Sequence, residues 1–313
     1  MSKITEGIEK KLGLPGIIDK ITERLSLSDL NSFLLELSRK SASKITPAEL
    51  QKSYEQNRFV GPALIDPLGF MEFELQLLKL AKEKGLVPLE LSPVSPLGSC
   101  SVVATVDQNK IVSAGRGTEV TADATNSLAL ECSKMRKEKK FDNTDIHFCT
   151  AHRHIRAQQI GNTRGHTAHF KIFCAVTAGK DKGSFDFEKN SLLRHLDFYQ
   201  TFLKQQCGFD KIILRFRSLN TAEENRLFKA VRDFIQSKLT GFDYEQIEFS
   251  QDNHQYYHRL QFKIYLFSNN KEFEIGDGGY VDWTQKLTGN KKERFLISAL
   301  GMEYLFKIVS GTV

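Results

Sequence analysis

Residues 147–173 read HFCTAHRHIRAQQIGNTRGHTAHFKIF and form the densest group of polar residues in the chain. It holds five of the eight histidines and three arginines, which are Arg153, Arg156 and Arg164. Side chains on a strand alternate between two faces, so Arg156 shares a face with His152 and His154 while Arg153 points the other way. Arginines on one face suit a phosphate-bearing ligand, because each guanidinium can hold two anionic oxygens. The alternative is a solvated strand–loop–strand with surface ion pairs.

The histidines of this stretch raise the question of a metal site. His152 and His154 lie at i, i+2 with Cys149 nearby, but the spacing matches no standard zinc motif. The chain also lacks the GxSxG nucleophile elbow, the Walker pattern and the GxGxxG pattern. A nucleotide would therefore have to bind through another geometry.

The composition is that of an ordinary globular protein. The chain has 313 residues, of which 40% are hydrophobic and 26% charged, with a net charge of +6. That modest excess permits a polyanionic partner without requiring one. No apolar run approaches the roughly 18 residues that span a bilayer, and the opening residues lack a secretory signal, so we expect a cytoplasmic protein without membrane contact. The five cysteines contain no CxxC, which is typical of reduced thiols in a core.

Helical signals dominate the first 62 residues. A helix is predicted to begin near Ser28 or Asp29, and a second at Thr46, where Thr46-Pro47-Ala48-Glu49 reads as a capping box with proline at the first helical position. We therefore predict a small helical region over residues 1–62 and a separate core over residues 63–313.

The pattern changes at Asp66-Pro67, which begins a predicted helix that ends at Gly85. Beyond it, short apolar runs predict strands: SVVATV, KIVSA, KIFCAV, KIILRF, QFKIYLF and RFLISA. The glycine-rich run GDGG, residues 276–279, predicts a sharp turn or hairpin loop between the last two, or a close approach to a ligand. Few βαβ crossovers are evident, so we expect an α+β fold with a mostly antiparallel sheet flanked by helices.

Three segments together resemble the catalytic core of the class II aminoacyl-tRNA synthetases, over roughly residues 66–310. FMEFELQLLKLAKEKGLVPLELSP resembles motif 1, a long helix and strand ending at Pro93, which builds the dimer interface in that family. The arginine-bearing stretch resembles motif 2, and RFLISALGMEYLFKI resembles motif 3. The run GDGGYVDWTQKLTGN is similar to the signature of histidyl-type synthetases and of their relative, the regulatory subunit of ATP phosphoribosyltransferase.

The resemblance implies ATP and an amino acid as ligands, Mg²⁺ as a cofactor and an aminoacyl adenylate as the product. Arg156 matches the arginine that holds the ATP α-phosphate, and Phe170 matches the aromatic that stacks on adenine. The further nucleotide contacts it implies are Gln158, Arg164 and His169. The amino-acid pocket is placed by analogy at Glu119, Asp123, Arg259, Tyr280 and Asp282. The nearest acidic candidates for magnesium are Glu272, Glu274 and Asp277.

The match departs from the family at three positions. Gln158 stands where motif 2 usually has a glutamate, and His169 where an acidic or amide residue often precedes the aromatic. Tyr304 stands where motif 3 has the arginine that grips the γ-phosphate. Because tyrosine cannot supply a permanent positive charge, the site is expected to be impaired or repurposed unless Arg259 or Arg294 reaches the phosphates instead.

Two main hypotheses follow. The first is a homodimeric class II synthetase-like protein that binds ATP or an adenylate together with an amino acid, and forms the adenylate. The alternative is a non-catalytic dimeric regulatory or scaffold protein, similar to the regulatory subunit of ATP phosphoribosyltransferase. A third hypothesis is tRNA binding by Arg39, Lys40 and Lys44 of the N-terminal helices. Because the motif 3 helix runs almost to Val313, no anticodon-binding domain of the histidyl branch is expected after it.

Overall fold

A computed structural model describes residues 3–140, 144–158, 167–217, 221–246, 256–268 and 271–312. Its helices are α1 (Lys3–Leu12), α2 (Ile17–Arg24), α3 (Leu27–Ala42), α4 (Pro47–Gln56), α5 (Pro67–Glu83), α6 (Ala124–Lys137), α7 (Asp186–Thr201), α8 (Ala222–Lys238), α9 (Trp283–Thr288) and α10 (Met302–Val309). Within these ranges, no helix combines the length and the apolar character that a bilayer crossing requires.

The strands form two sheets. They are β1 (Val87–Pro88), β2 (Val94–Pro96), β3 (Ser113–Gly115), β4 (Thr118–Val120), β5 (Ile146–Ile155), β6 (His169–Lys180), β7 (Ile212–Arg217), β8 (Asp243–Gln246), β9 (Gln261–Ser268), β10 (Lys271–Val281) and β11 (Glu293–Leu300). The large sheet has the order β1-β5-β6-β11-β10-β9-β7-β8 and the small one β2-β4-β3. In the large sheet the β1–β5 and β7–β8 pairs are parallel and the others antiparallel. The predicted α+β fold, a mostly antiparallel sheet flanked by helices, is confirmed.

The large sheet has a hydrophobic core on each face. On one face, Cys149, Ala151 and Phe173 pack with α5, α7, α8 and α10. On the other, Phe148 and Cys174 pack with α6 and α9. We call these the α7 face and the α6 face. Neighbouring positions of one strand contribute to opposite cores because side chains alternate along it.

The helix starts follow local capping chemistry. Ser26 caps α3, two residues before the predicted start, and accepts a hydrogen bond from the Asp29 N–H. The capping box of Thr46 and Glu49 is present at α4, and Asp66 caps α5. Each of these side chains satisfies backbone N–H groups that the first turn leaves without partners.

Two local predictions are wrong. The run SVVATV, residues 101–106, forms no strand, and its first three residues belong to a short π-helical turn over Ser99–Val103. The GDGG run lies inside β10 and makes no hairpin turn. Its glycines are needed for close packing: a Cβ on Gly276 would lie 2.5 Å from the Ala299 carbonyl oxygen, and one on Gly278 would lie 2.5 Å from the Phe262 ring. Neighbouring strands and rings therefore select glycine here.

A buried hydrogen-bonded chain ties α7 to the sheet. Thr177 Oγ1 lies 3.0 Å from His147 Nδ1 and 2.9 Å from His195 Nε2. The Ser298 hydroxyl in turn lies 2.8 Å from both His195 Nδ1 and the Tyr199 hydroxyl. His195 is fully buried, and its burial lowers its pKa to about 3. Folding therefore requires the neutral imidazole.

We expect acid to weaken the fold through His195. The unfolded chain protonates this histidine below about pH 6.5 while the folded chain does not, so the free energy of unfolding falls as pH decreases from 6.5 toward 3. Between pH 6.5 and 4.5 the loss should be about 2 kcal/mol. Urea titrations across this range should show a shallower pH dependence for His195→Gln. The exposed His258→Gln should keep the slope of the native chain, and an unchanged slope in His195→Gln would contradict the assignment.

Candidate functional site

A cavity of about 320 Å³ opens on the α6 face. Its wall combines the central strands β6, β10 and β11 with the start of α6 and the end of β5. The polar residues that line it are Lys110, Asp123, Thr125, His154, Arg156, Gln158, Tyr256, Tyr257 and Asp277, together with Ser298, whose hydroxyl is bonded on the α7 face. Lys110 and Gln158 are exposed, whereas His154 and Cys174 are buried, so the cavity has an open and a closed end.

Asp123 caps the N-terminus of α6. Its Oδ1 accepts hydrogen bonds from the backbone N–H of Thr125 at 2.9 Å and from its hydroxyl at 2.6 Å. Its Oδ2 accepts one from the Tyr256 hydroxyl at 2.5 Å. Burial acts to raise the pKa of Asp123, but the charge of Arg156 and these hydrogen bonds hold it below its ordinary value. The cavity therefore contains a carboxylate anion at neutral pH.

A second carboxylate enters from β10. Asp277 accepts a hydrogen bond from the Tyr257 hydroxyl at 2.8 Å, and burial raises its pKa. The rings of Tyr256 and Tyr257 meet edge to face at 4.9 Å. Two neighbouring tyrosines thus each hold one aspartate of the same cavity.

Arg156 lies just beyond the end of β5. Its Nε donates a hydrogen bond to the Ala122 carbonyl at 3.1 Å. Its guanidinium carbon lies over the Phe170 ring, 5.3 Å from the centroid, which is a cation–π geometry. These two contacts fix the guanidinium beside Asp123.

His154 is fully buried and lines the same cavity. Its Nε2 accepts a hydrogen bond from the Ala124 N–H at 3.1 Å, so the neutral ring must carry its proton on Nδ1. Burial lowers the pKa of His154 to about 3, which keeps the ring neutral. Within the described part of the chain, Nδ1 has no hydrogen-bond partner.

Glu119, a predicted substrate contact, lies behind the residues that line the cavity and bonds to one of them. Its fully buried carboxylate accepts hydrogen bonds from Gly98 N–H at 2.8 Å, Cys100 N–H at 3.0 Å and Gln108 Nε2 at 2.9 Å. Cys100 lines the cavity, but Glu119 does not. The carboxylate therefore orders the loop that carries the wall.

Three other predicted pocket residues lie elsewhere. Tyr280 donates its hydroxyl to the Glu188 carbonyl at 2.6 Å, and Arg259 lies 3.1 Å from the Glu188 carboxylate, both on the α7 face. Asp282 pairs with Lys286 at 2.9 Å. Tyr280 lies outside the cavity because side chains alternate along a strand. Asp277 and Tyr280 are three positions apart on β10, so they face opposite sides of the sheet.

The predicted metal ligands do not form a site. Glu274 forms an ion pair with Lys263 Nζ at 2.9 Å, and Glu272 forms one with Arg215 at 2.5 Å. Of the three predicted ligands, Asp277 lines the cavity and the two glutamates do not. Among the residues that the structure describes, no three His, Cys, Asp or Glu side chains are grouped to hold a metal ion. The arrangement therefore does not fit a protein-held magnesium ion.

No protein-family model matches the sequence, and no curated protein matches it. Several solved structures are similar to it. Apo S. aureus histidyl-tRNA synthetase matches with a TM-score of 0.59 at 15% identity, over 80% of this chain and 69% of that one. An ATP phosphoribosyltransferase regulatory subunit/histidyl-tRNA synthetase from Bacillus halodurans matches with 0.58 at 10% identity, over 81% and 83%. Pyrrolysyl-tRNA synthetase from Desulfitobacterium hafniense matches with 0.51 at 10% identity, over 92% and 82%.

The chain has the class II aminoacyl-tRNA synthetase fold. In this synthetase fold, β5 and β6 form the arginine-bearing hairpin that the sequence assigned to motif 2. Arg156 and Gln158 line the cavity, and Phe170 contacts Arg156. His169 faces the α7 side, with Nδ1 3.0 Å from Arg153 and Nε2 2.7 Å from the Gly61 carbonyl oxygen. Arg164 lies outside the described residues.

The motif 3 segment of the synthetase-like core is β11 followed by α10. Tyr304 packs against the hydrophobic core of the α7 face. Its neighbour Glu303 is buried and pairs with Arg153 at 3.1 Å and Lys307 at 3.2 Å. Arg294 pairs with Asp181 at 2.6 Å. The arginines expected to replace the missing phosphate contact, Arg259 and Arg294, are therefore both held in ion pairs outside the cavity.

Several cavity residues escaped the motif comparison: Lys110, Thr125, Tyr256 and Tyr257. The adjacent tyrosines before β9 were a usable signal, because two large hydroxyl-bearing rings beside a buried strand commonly need polar partners. Nothing in the sequence of Lys110 distinguishes it from other surface lysines.

We expect Glu119→Gln to destabilise the fold by about 2–3 kcal/mol. The buried carboxylate accepts three hydrogen bonds, whereas the amide is neutral and its NH₂ group would face N–H donors that it cannot accept from. Thermal or urea unfolding measures this. The exposed Glu90→Gln is the matched control and should change stability by less than about 0.5 kcal/mol. Unchanged stability with lost ligand binding would instead make Glu119 a direct ligand contact.

Proposed function

We propose that the cavity binds a nucleotide, ATP or an aminoacyl adenylate, together with an amino acid. The observation that carries this is the presence of Arg156 and anionic Asp123 at one small cavity, with the Phe170 ring against the Arg156 guanidinium. Cavities of roughly 300–1000 Å³ with a few placed polar groups are typical of small-molecule sites.

The polar groups suggest how the ligand is oriented. Asp123 offers a negative charge to the α-ammonium group of an amino acid. Arg156 offers a guanidinium to the α-phosphate, beside an aromatic ring suited to the adenine base. In adenylation, an oxygen of the amino-acid carboxylate attacks the α-phosphorus and pyrophosphate leaves, so the protein contributes mainly positioning and charge stabilisation.

Arg156→Ala should weaken the binding of ATP and AMP about 10- to 100-fold, because a charge-assisted contact to phosphate is removed. Isothermal titration calorimetry with each nucleotide measures this. The control is Arg39→Ala, since Arg39 is exposed on α3 and pairs with Glu36. Equal affinities in both variants would refute the placement of phosphate at Arg156.

A second candidate is a non-catalytic regulatory protein. It is favoured by Tyr304 at the motif 3 arginine position and by the ion pairs that hold Arg259 and Arg294 on the α7 side of the sheet. A triphosphate then meets Lys110 and Arg156 as the basic side chains among the described cavity residues.

Pyrophosphate exchange separates the two candidates. Exchange with any of the twenty amino acids, abolished in Arg156→Ala, supports adenylation. Ligand binding without exchange supports the regulatory candidate. Absence of both nucleotide and amino-acid binding at millimolar ligand overturns the proposal that the cavity is a ligand site.

We also propose that the chain is a homodimer through α5. Leu68, Met71 and Leu75 recur at helical spacing and are 72%, 64% and 52% exposed. An apolar row of this kind on a helix is typical of a protein interface.

Met71→Glu should convert the dimer to a monomer, because it places a charge in the apolar contact. Size-exclusion chromatography with light scattering reports the mass. Leu50→Glu on α4, also an exposed leucine, should leave the mass unchanged. A native chain that is monomeric at high micromolar concentration would exclude the α5 interface.

A further inference from the structure

The two carboxylates of the cavity differ in how their charge is balanced. Arg156 acts on Asp123, whereas the hydrogen-bond partner of Asp277 in the described part of the chain is the uncharged Tyr257 hydroxyl. Lys263, on the neighbouring strand, directs its ammonium group at both oxygens of Glu274, each 2.9 Å away. Lys263 lies opposite Asp277 in the register and its charge acts on both acids, but its hydrogen bonds go to Glu274. Asp277 therefore lines the cavity as a sheltered acid that has no hydrogen-bonded cation among the described residues.

A buried carboxylate of this kind favours binding of a cation, because a cationic partner offsets the lost hydration. The same cavity also has an apolar lining: Ile172 and Cys174 come from β6 and Ile297 from β11. A ligand that reaches both acids therefore also meets apolar surface, which suits a chain of methylene groups.

We propose that this cavity selects an amino acid whose side chain ends in a second cationic group, with the α-ammonium at Asp123 and the side-chain cation at Asp277. The proposal rests on the proposed function and names its substrate class. Lysine, ornithine and arginine have this chemistry.

His154 provides an independent sign that a ligand completes the site. Its Nδ1 proton has no acceptor among the described residues, although the side chain is fully buried and lines the cavity. Unpaired buried donors are unfavourable and uncommon in folded proteins.

The test compares ligands that differ in one charge. Isothermal titration calorimetry of the full chain would use L-lysine, L-ornithine and L-arginine, with L-norleucine as the neutral analogue that keeps the aliphatic chain. We expect at least one basic amino acid to bind at least about 10-fold more tightly than norleucine, as a charge-assisted contact predicts. Equal or tighter binding of norleucine overturns the proposal without any variant.

Asp277→Asn then locates the selectivity. It should reduce the ratio of the two affinities, basic amino acid over norleucine, to about one, and the exposed Asp210→Asn should keep the ratio of the native chain. Selectivity that survives in Asp277→Asn overturns the assignment, and thermal unfolding of both variants verifies that they fold. Binding of neutral amino acids with no preference for basic ones refutes this inference alone, whereas no binding of any amino acid or nucleotide refutes the proposed function as well.

Discussion

The alternation of side chains along β5, β6, β10 and β11 is the constraint on which the site depends. Their central parts are covered on both faces, so each buried position belongs either to the α7 core or to the α6 face with its cavity. Arg153 and Arg156 are three residues apart and end on different sides. One binds the buried Glu303, and the other lies at the cavity. A shift of register by one residue would exchange the two sets and destroy the site.

Ion pairs on the α7 face hold the two arginines predicted as alternatives for the missing phosphate contact, Arg259 and Arg294. Glu188 is 2% exposed and lies 3.1 Å from Arg259 and 3.5 Å from Arg294. Removing either arginine would leave that buried carboxylate less compensated, which is unfavourable in a region of low dielectric. Arg259 and Arg294 therefore stabilise the α7 side of the sheet and do not line the cavity on the other side. Among its described lining residues, the cavity has two cations, Lys110 and Arg156, and two acids, Asp123 and Asp277.

Much of the fold was predictable because its signals are local. The capping box at Thr46, the Asp66-Pro67 helix start and the alternating apolar runs of the sheet all act over a few residues. The predictions that failed depend on distant contacts. The glycines of GDGG predict a turn, but they lie within a strand because Phe262 and Ala299 pack closely against them. The run SVVATV predicts a strand, but its start is part of a turn whose Gly98 and Cys100 N–H groups donate to the distant, buried Glu119 carboxylate.

The sequence by itself predicted the α+β fold class from its apolar runs and the strands on either side of Arg156. Its resemblance to the class II synthetases added the motif assignments and the departures at Gln158, His169 and Tyr304. Only the tertiary structure decided that Asp123, His154, Tyr256 and Asp277 meet at one cavity, and that Glu119, Tyr280 and Arg259 do not. The physical reason is that strand pairing and parity set which distant residues share a face, and hydrogen bonding and burial then set their charge states.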